Sequence, residues 1–346
     1  MMKLRNRARI VAGLLVLTIV AAACGSDDGG TEDGSTGTTD ALTGSITISG
    51  SSTVEPISSV VAEIFNQDLA PDVSISVEGP GTGDGFELFC NGETDISDAS
   101  RPIEPDEEKA CKKNEIEWTE LEVGLDGVTV MTNPENADVA CLTNGDLYAL
   151  FGPESDGFDN WTDADALAQQ VGGTGGFPDA ALEITAPGEE SGTYDAFIEL
   201  TGIEDVAIEQ GVPEEEAAAL RKDYQASPND NVIITAMEGS PSALGFVGFA
   251  FAEEAGESIK EIEIDGGEGC VAPVAETISD GSYPLSRSLF IYVNTAKAAE
   301  SEALRAYVDF YVSDDSLNGL VSEVGYIPLP SDRIEATRTA WESGQS

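Results

Sequence analysis

The 346-residue chain contains no histidine. That absence excludes imidazole general-base catalysis, the Ser-His-Asp triad and the commonest zinc ligand, and most hydrolase mechanisms lose their usual base. Cations are scarce too: 16 Lys plus Arg face 65 Asp plus Glu, for a net charge of −49. Such a field repels nucleic acid and anionic lipid headgroups and keeps a protein soluble, so no nucleic-acid partner is expected. A saline habitat is the plain reading of the imbalance. Any anion must then be held by local donors working against the long-range field, and salt should help capture by screening that field. No two cysteines stand in CxxC spacing, and without His a zinc site is not expected. Gly (37) and Pro (16) occur without a period, which argues against collagen-like and solenoid architectures.

What is present begins with an export signal. MMKLRNRARIVAGLLVLTIVAAAC has a basic start, an apolar run from Ile10 to Val20 too short to span a bilayer as a stable helix, and small residues before Cys24. It resembles a bacterial lipoprotein signal, in which residues 1–23 are removed and the Cys is diacylated, although Ala21 stands where Leu is usual. A plain signal peptide with a spare Cys is the bland alternative. Loss of Lys3, Arg5, Arg7 and Arg9 leaves 12 cations against 65 acids, or −53. Residues 24–44 then form a lipidated Cys and an acidic, flexible linker, since only Ala41 and Leu42 in 25–44 are apolar side chains. A tethered protein working outside the cytoplasm is expected, on the outer face of the cell membrane or in a periplasm.

From Ser45 onward, short β-branched runs alternate with amphipathic stretches: ITIS, then VEPISSVVAEIF, then VSISVEG, then a Gly-opened helix near residues 84–91. With 41% hydrophobic residues the chain can build a real core. The alternation predicts an α/β fold with mainly parallel strands, whose ligands sit at strand carboxyl ends and helix N-termini. ALGFVGFAF reads as a buried strand or hairpin, and Ala296 to Val312 as helix-like. Two lobes fit better than one. Cys90, Cys111, Cys141 and Cys270 remain for disulfides, with three pairings possible. We favour Cys90–Cys111 and Cys141–Cys270, which keep each pair within one lobe and stabilise by about 3 and about 5 kcal/mol on chain-entropy grounds.

Three segments share one design, a strand ending in Gly, Ser and Thr before a helix: SGSSTVEPI (49–57), GPGTGDGFELF (79–89) and APGEESGTYDAF (186–197). Small residues let the backbone approach a ligand, hydroxyls donate, and the unsatisfied N–H groups of a helix start favour an anion. Singly, each is no more than an ordinary N-cap. Three together, with Arg101 in DISDASRPI, point to an anion site. Tyr194, Phe197 and Ile198 share a helical face that should pack the third turn rigidly, and Glu189 and Glu190 are expected to face solvent.

GSSTVEPI, GxGxGFELFCNGETDISDASRPI, ESGTYDAF, SPNDNVIITAM, ALGFVGFAF and DGSYPLSRSLFIYV resemble, in order and spacing, the phosphate-binding proteins of bacterial phosphate ABC importers, from about Ser45 to about Pro330. The resemblance implies a two-lobed type II periplasmic-binding-protein fold with crossover strands, closing on dehydrated inorganic phosphate. Lobe 1 would span 45–127 and 285–346, and lobe 2 would span 128–284. It further implies a monomeric, non-enzymatic solute-binding lipoprotein that needs no cofactor and no metal and delivers phosphate to a membrane permease.

Carried over by position, the phosphate ligands are Ser52 and Thr53, Thr82, Ser100 and Arg101, and Ser191, Gly192 and Thr193. Two positions depart from the pattern. An Arg that some relatives carry four residues before SGT is Pro187 here, leaving Arg101 as the principal cation; an Asp of some relatives aligns with Ser100. Phosphate near neutral pH carries a proton, and a buried carboxylate accepting it distinguishes phosphate from sulfate. Asp84, Asp98 and Asp126 are candidates for that acceptor, with a capping or turn role as the alternative for Asp98. Asp95 suits a structural ion pair, and Arg287 in PLSR either enters the site or pairs with a structural carboxylate. Receptors for sulfate or molybdate on the same fold, and a secreted phosphohydrolase using Ser191 or Thr193 as nucleophile, are the competing readings. The phosphohydrolase lacks a base and a clear metal-spaced carboxylate cluster.

Overall fold

The computed structural model describes residues 41–345. The leader, Cys24 and residues 24–40 of the linker lie outside the described residues. No helix among the described residues is long and apolar enough to cross a membrane.

The strands are β1 (Gly44–Gly50), β2 (Val73–Glu78), β3 (Ile96–Ala99), β4 (Trp118–Thr132), β5 (Cys141–Thr143), β6 (Glu183–Ala186), β7 (Gln225–Ala226), β8 (Ala243–Gly248), β9 (Lys260–Glu261), β10 (Glu263–Asp265), β11 (Cys270–Val271) and β12 (Ser286–Asn294). Nine of them form one sheet in the order β2-β1-β3-β12-β4-β8-β6-β7, with β9 beside β4, and β11-β10-β5 form a small second sheet. The chain has the two-lobed periplasmic-binding architecture. The wings β1/β2, β1/β3 and β6/β8 are parallel, as the alternating pattern predicts. Around β4 and β12 the pairing is antiparallel, so the parallel character is less general than expected.

β4 explains the two lobes. Its 15 residues are long enough to serve both wings, and it changes partner in mid-strand: Trp118 to Gly127 pair with β12, and Val128 to Thr132 with β8. β12 is all but continuously apolar from Leu289 to Val293 because it is covered on both faces. Helix α1 (Glu55–Asp68) lays Ile57, Val61 and Phe65 into the core at helical spacing, with Phe65 edge-on to Tyr307 at 5.5 Å. In the other wing Phe197 stacks on Phe246 at 4.0 Å and meets Phe151 edge-on at 5.0 Å.

Cys90 joins Cys111, and Cys141 joins Cys270, the pairing favoured from sequence. Two expected elements differ. ALGFVGFAF is not a continuous strand: Gly248 ends β8 and caps the helix Phe249–Ala255, whose AEEA end is strongly helix-forming. The run from Ala296 to Val312 breaks at Ser301, whose hydroxyl accepts from Leu304 N–H at 3.1 Å and starts a second helix.

Candidate anion-binding cleft

The three Gly/Ser/Thr loops come together. A cleft of about 450 Å³ is lined by Ser51, Ser52 and Thr53 after β1, by Gly79 to Thr82 after β2, by Ser100 after β3, and by Asp195, Ile198, Glu199, Glu204 and Ala218. Strand carboxyl ends and helix N-termini therefore face one space, as the α/β pattern requires.

The local reasons are visible in each loop. Ser51 N–H donates to Asp98 C=O at 2.9 Å, tying the first loop to β3, and its hydroxyl accepts from Thr53 N–H at 3.2 Å. Gly50 has φ +155, and a Cβ there would collide with the Asp98 carbonyl at 2.0 Å, so only Gly permits this approach of two strand ends. In the second loop, helix α2 (Thr82–Cys90) begins after Gly81 without any side-chain cap, leaving its first N–H groups open to a ligand. The third loop starts the helix Gly192–Thr201, for which Ser191 is the N-cap, its hydroxyl accepting from Thr193 N–H at 3.2 Å. Tyr194, Phe197 and Ile198 are buried beneath that turn, and Glu189 and Glu190 are exposed.

Contacts across the cleft join the wings. Ser52 Oγ donates to Asp195 Oδ2 at 2.6 Å, and Thr53 Oγ1 donates to the Gly192 carbonyl at 3.4 Å. Thr82 and Ser100 hydroxyls are 3.0 Å apart, and Ser100 Oγ lies 3.5 Å from Glu199 Oε2. Ser52, Thr53, Thr82, Ser100 and the start at Ser191, Gly192 and Thr193 are thus drawn into one neighbourhood.

The cations are arranged otherwise than the sequence suggested. Arg101 does not line the cleft; it makes a two-pronged pair with Glu107 at 2.7 and 2.8 Å, stacks over Phe86 and reaches Glu104 at 3.4 Å. Helix α3 (Pro105–Lys113) explains this, because Glu107 also closes its capping box by accepting from Glu104 N–H at 2.8 Å. Arg287, from β12, does reach the site. Its guanidinium donates to Thr53 Oγ1 at 2.9 Å and to Asp126 Oδ2 at 3.3 Å, and it pairs with Glu199, with its side chain only 8% exposed. PLSR beside an apolar strand was the available signal.

The acids divide similarly. Asp126 is buried on β4; burial pushes its carboxyl up, opposed by Arg287. Asp98 lies beneath the first loop, fully buried, accepting from Ser58 Oγ at 2.9 Å, with its other oxygen unpartnered. Burial raises it to about 7, the Ser58 hydrogen bond opposing. Asp84 is exposed, and Asp95 pairs with Lys297 at 3.1 Å. Asp195 and Glu199 were not singled out from sequence, although D and E four residues apart after SGT fall on the face begun by Ser191.

The sequence profile of the PBP superfamily domain matches residues 34–315. Protein SphX of Synechocystis sp. is 37% identical over 304 residues, 87% of this chain and 83% of that protein. The phosphate-binding protein PstS of Staphylococcus epidermidis is 31% identical over 320 residues, 92% of this chain and 87% of its own. The chain belongs to the PBP superfamily, in the family that holds SphX and PstS. A crystal structure described as a possible phosphate binding protein from Planctomyces limnophilus superposes on this PBP fold with a TM-score of 0.78 at 33% identity, covering 88% of this chain and 100% of that one. Among PBP domains the cleft between wings is where a ligand would be expected from topology alone, and here the first two donor loops, Ser100 and the helix that follows the third loop line it.

Proposed function

We propose that this protein is the extracytoplasmic receptor of a phosphate ABC importer, that it binds one inorganic phosphate in the cleft between its lobes, and that it hands the ion to the membrane permease. The observation that carries the reading is the convergence of the first two hydroxyl- and N–H-bearing loops and Ser100 on one cleft, with Arg287 and Gly192 both held against Thr53 at its edge, in a chain whose relatives SphX and PstS include named phosphate-binding proteins. Ser52, Thr53, Thr82, Ser100, the Gly192 N–H and the Thr193 hydroxyl supply neutral donors, while the Thr193 N–H is held by the Ser191 cap. Arg287, already against Thr53, supplies the charge and exchanges Glu199 for the ligand. Arg101 supports the loop behind Ser100 through Glu107 and does not touch the anion.

The lobes divide at residues 127/128 and 284/285, next to the partner switch of β4 and the start of β12. Removal of residues 1–23 and lipidation of Cys24 anchor a monomer to the outer face of the membrane by the linker. The protein is a receptor and no enzyme: the Ser191 hydroxyl is engaged as a helix cap, and no His is available to activate it. A thermal melt of demonstrably ligand-free protein with millimolar phosphate, run beside an assay for phosphate release from a model ester, tests this reading. A rise in melting temperature without turnover supports it. No shift refutes the receptor, and a shift only with sulfate or molybdate reassigns the ligand.

A further inference from the structure

The donors that face the cleft already hold carboxylate oxygens, and those oxygens come from one helix of the opposite wing. Phe197 fixes the helix Gly192–Thr201 to that wing through its stack on Phe246 of β8. Asp195 and Glu199, one turn apart on this helix, line the cleft. Ser52 Oγ donates to Asp195 at 2.6 Å, and Glu199 accepts from Ser100 Oγ at 3.5 Å and pairs with Arg287. The two members of that ion pair are unequal. Arg287 is 8% exposed and is also engaged by Asp126 and Thr53, so it cannot turn to water, whereas the Glu199 side chain is 45% exposed and regains hydration as soon as it swings out. Glu199 is therefore the partner that can leave. A carboxylate oxygen and an oxygen of an inorganic oxyanion ask the same of a guanidinium and a hydroxyl, a charge-assisted hydrogen bond. Both cannot hold one set of donors at once, and the two negative charges repel each other.

We propose that Glu199 is a built-in competitor for the anion: it occupies Arg287 and Ser100 in the empty cleft, and the ligand binds by displacing it. The inference deepens the receptor reading given above and rests on it. Because the competitor is part of the chain, its effective concentration is about millimolar or more, and dilution does not remove it. Apparent affinity is the intrinsic affinity multiplied by the fraction of molecules whose donors are free, so a Glu199 seated about nine-tenths of the time lowers it about tenfold. Such a device sets affinity without altering any contact made to the bound ion. It also refills the donors as the ion leaves, so that the buried face of Arg287 is not left open. Glu204 gives the comparison: it lines the same cleft and is exposed, but it is not a partner of Arg287, Ser52 or Ser100, and so contributes charge without contact.

The test is calorimetric titration with inorganic phosphate, at fixed pH and ionic strength, of the ligand-free full chain and of Glu199→Gln, Glu199→Asp and Glu204→Gln. Glu199→Gln removes the charge. Glu199→Asp keeps the charge but withdraws the carboxylate from Arg287 by one methylene, and Glu204→Gln removes a charge that makes no such contact. Phosphate should bind about tenfold more tightly to both Glu199 variants, and to Glu204→Gln within about twofold of the wild type. If Glu199→Gln melts early, Glu199→Asp and Glu204→Gln decide the matter. A gain confined to Glu199→Gln, or an equal gain in Glu204→Gln, is the effect of the general field and overturns the proposal. Unchanged or weakened binding in Glu199 variants that melt like the wild type overturns it as well. Phosphate binding by none of the four proteins refutes the site reading beneath it.

Discussion

Arg287→Met separates the structural from the binding role of the buried cation. The wild-type guanidinium is 8% exposed, lies 3.3 Å from the carboxylate of Asp126, and also touches Thr53 and Glu199. Asp126 is itself only 5% exposed, so removing Arg287 leaves a buried carboxylate without its counter-charge. Breaking such a pair costs about 3 to 5 kcal/mol, or roughly 6 to 15 °C in melting temperature for a chain of this size. The sign with pH follows from the direction of the Asp126 shift. Its folded carboxyl is raised above the unfolded value, so its protonated form is the one favoured by folding, and the stability linked to that proton is lost as pH rises. Loss of Arg287 raises it further. The variant should therefore sit close to the wild type in mild acid and fall behind it toward neutrality. Phosphate binding should weaken by about 2 to 5 kcal/mol, some 30-fold to several thousand-fold. The double variant Asp126→Asn with Arg287→Met should recover much of the stability and none of the binding. Chemical denaturation across pH, with calorimetry at each folded condition, reads both effects. Binding within a few fold of wild type in Arg287→Met, or an equal loss in Arg101→Met, would refute the assignment of the cation.

Gly192→Val should lower phosphate affinity at least tenfold with an intact circular dichroism spectrum. Its Cβ would lie 3.2 Å from both the Ser52 carbonyl oxygen and Thr53 Cα and force apart the two loops that meet there, and retained affinity would make this turn an ordinary capped helix. Asp98, raised to about 7 by burial, should make stability fall between about pH 4 and pH 7, because the folded state holds its proton through that window and the unfolded state does not. Asp98→Asn should flatten that limb in urea midpoints, and an unchanged slope would mean the carboxyl is not the titrating group.

Much of this was legible before any coordinates. Strand and helix alternation, the three donor turns and the cysteine spacing are local patterns, and local patterns fix where N–H groups and hydroxyls stand relative to a helix start. The long β4 was less legible, because an apolar run shows burial and not a change of partner at Gly127. The sequence pattern points to Arg101 as the cation of the cleft, and the structure turns its side chain to Glu107 for a related reason. Arg101 lies in a conspicuous loop, but its partner is chosen by Glu107, six residues on, which the PDEE start of α3 positions for its own cap. Arg287 looked like a strand arginine with a structural acid, and it is that too, through Asp126; only the approach of β12 to the first loop also gives it Thr53. Asp195 and Glu199 passed unnoticed among 65 acidic residues, where any one carboxylate carries little signal until a fold says which of them face a cleft.

The central claim is that this cleft holds one inorganic phosphate. Isothermal titration of ligand-free full-length protein with phosphate, at moderate salt to screen the acidic surface, measures it most directly. A single saturating transition at one phosphate per chain is the predicted result; no heat and no saturation at millimolar phosphate would contradict it.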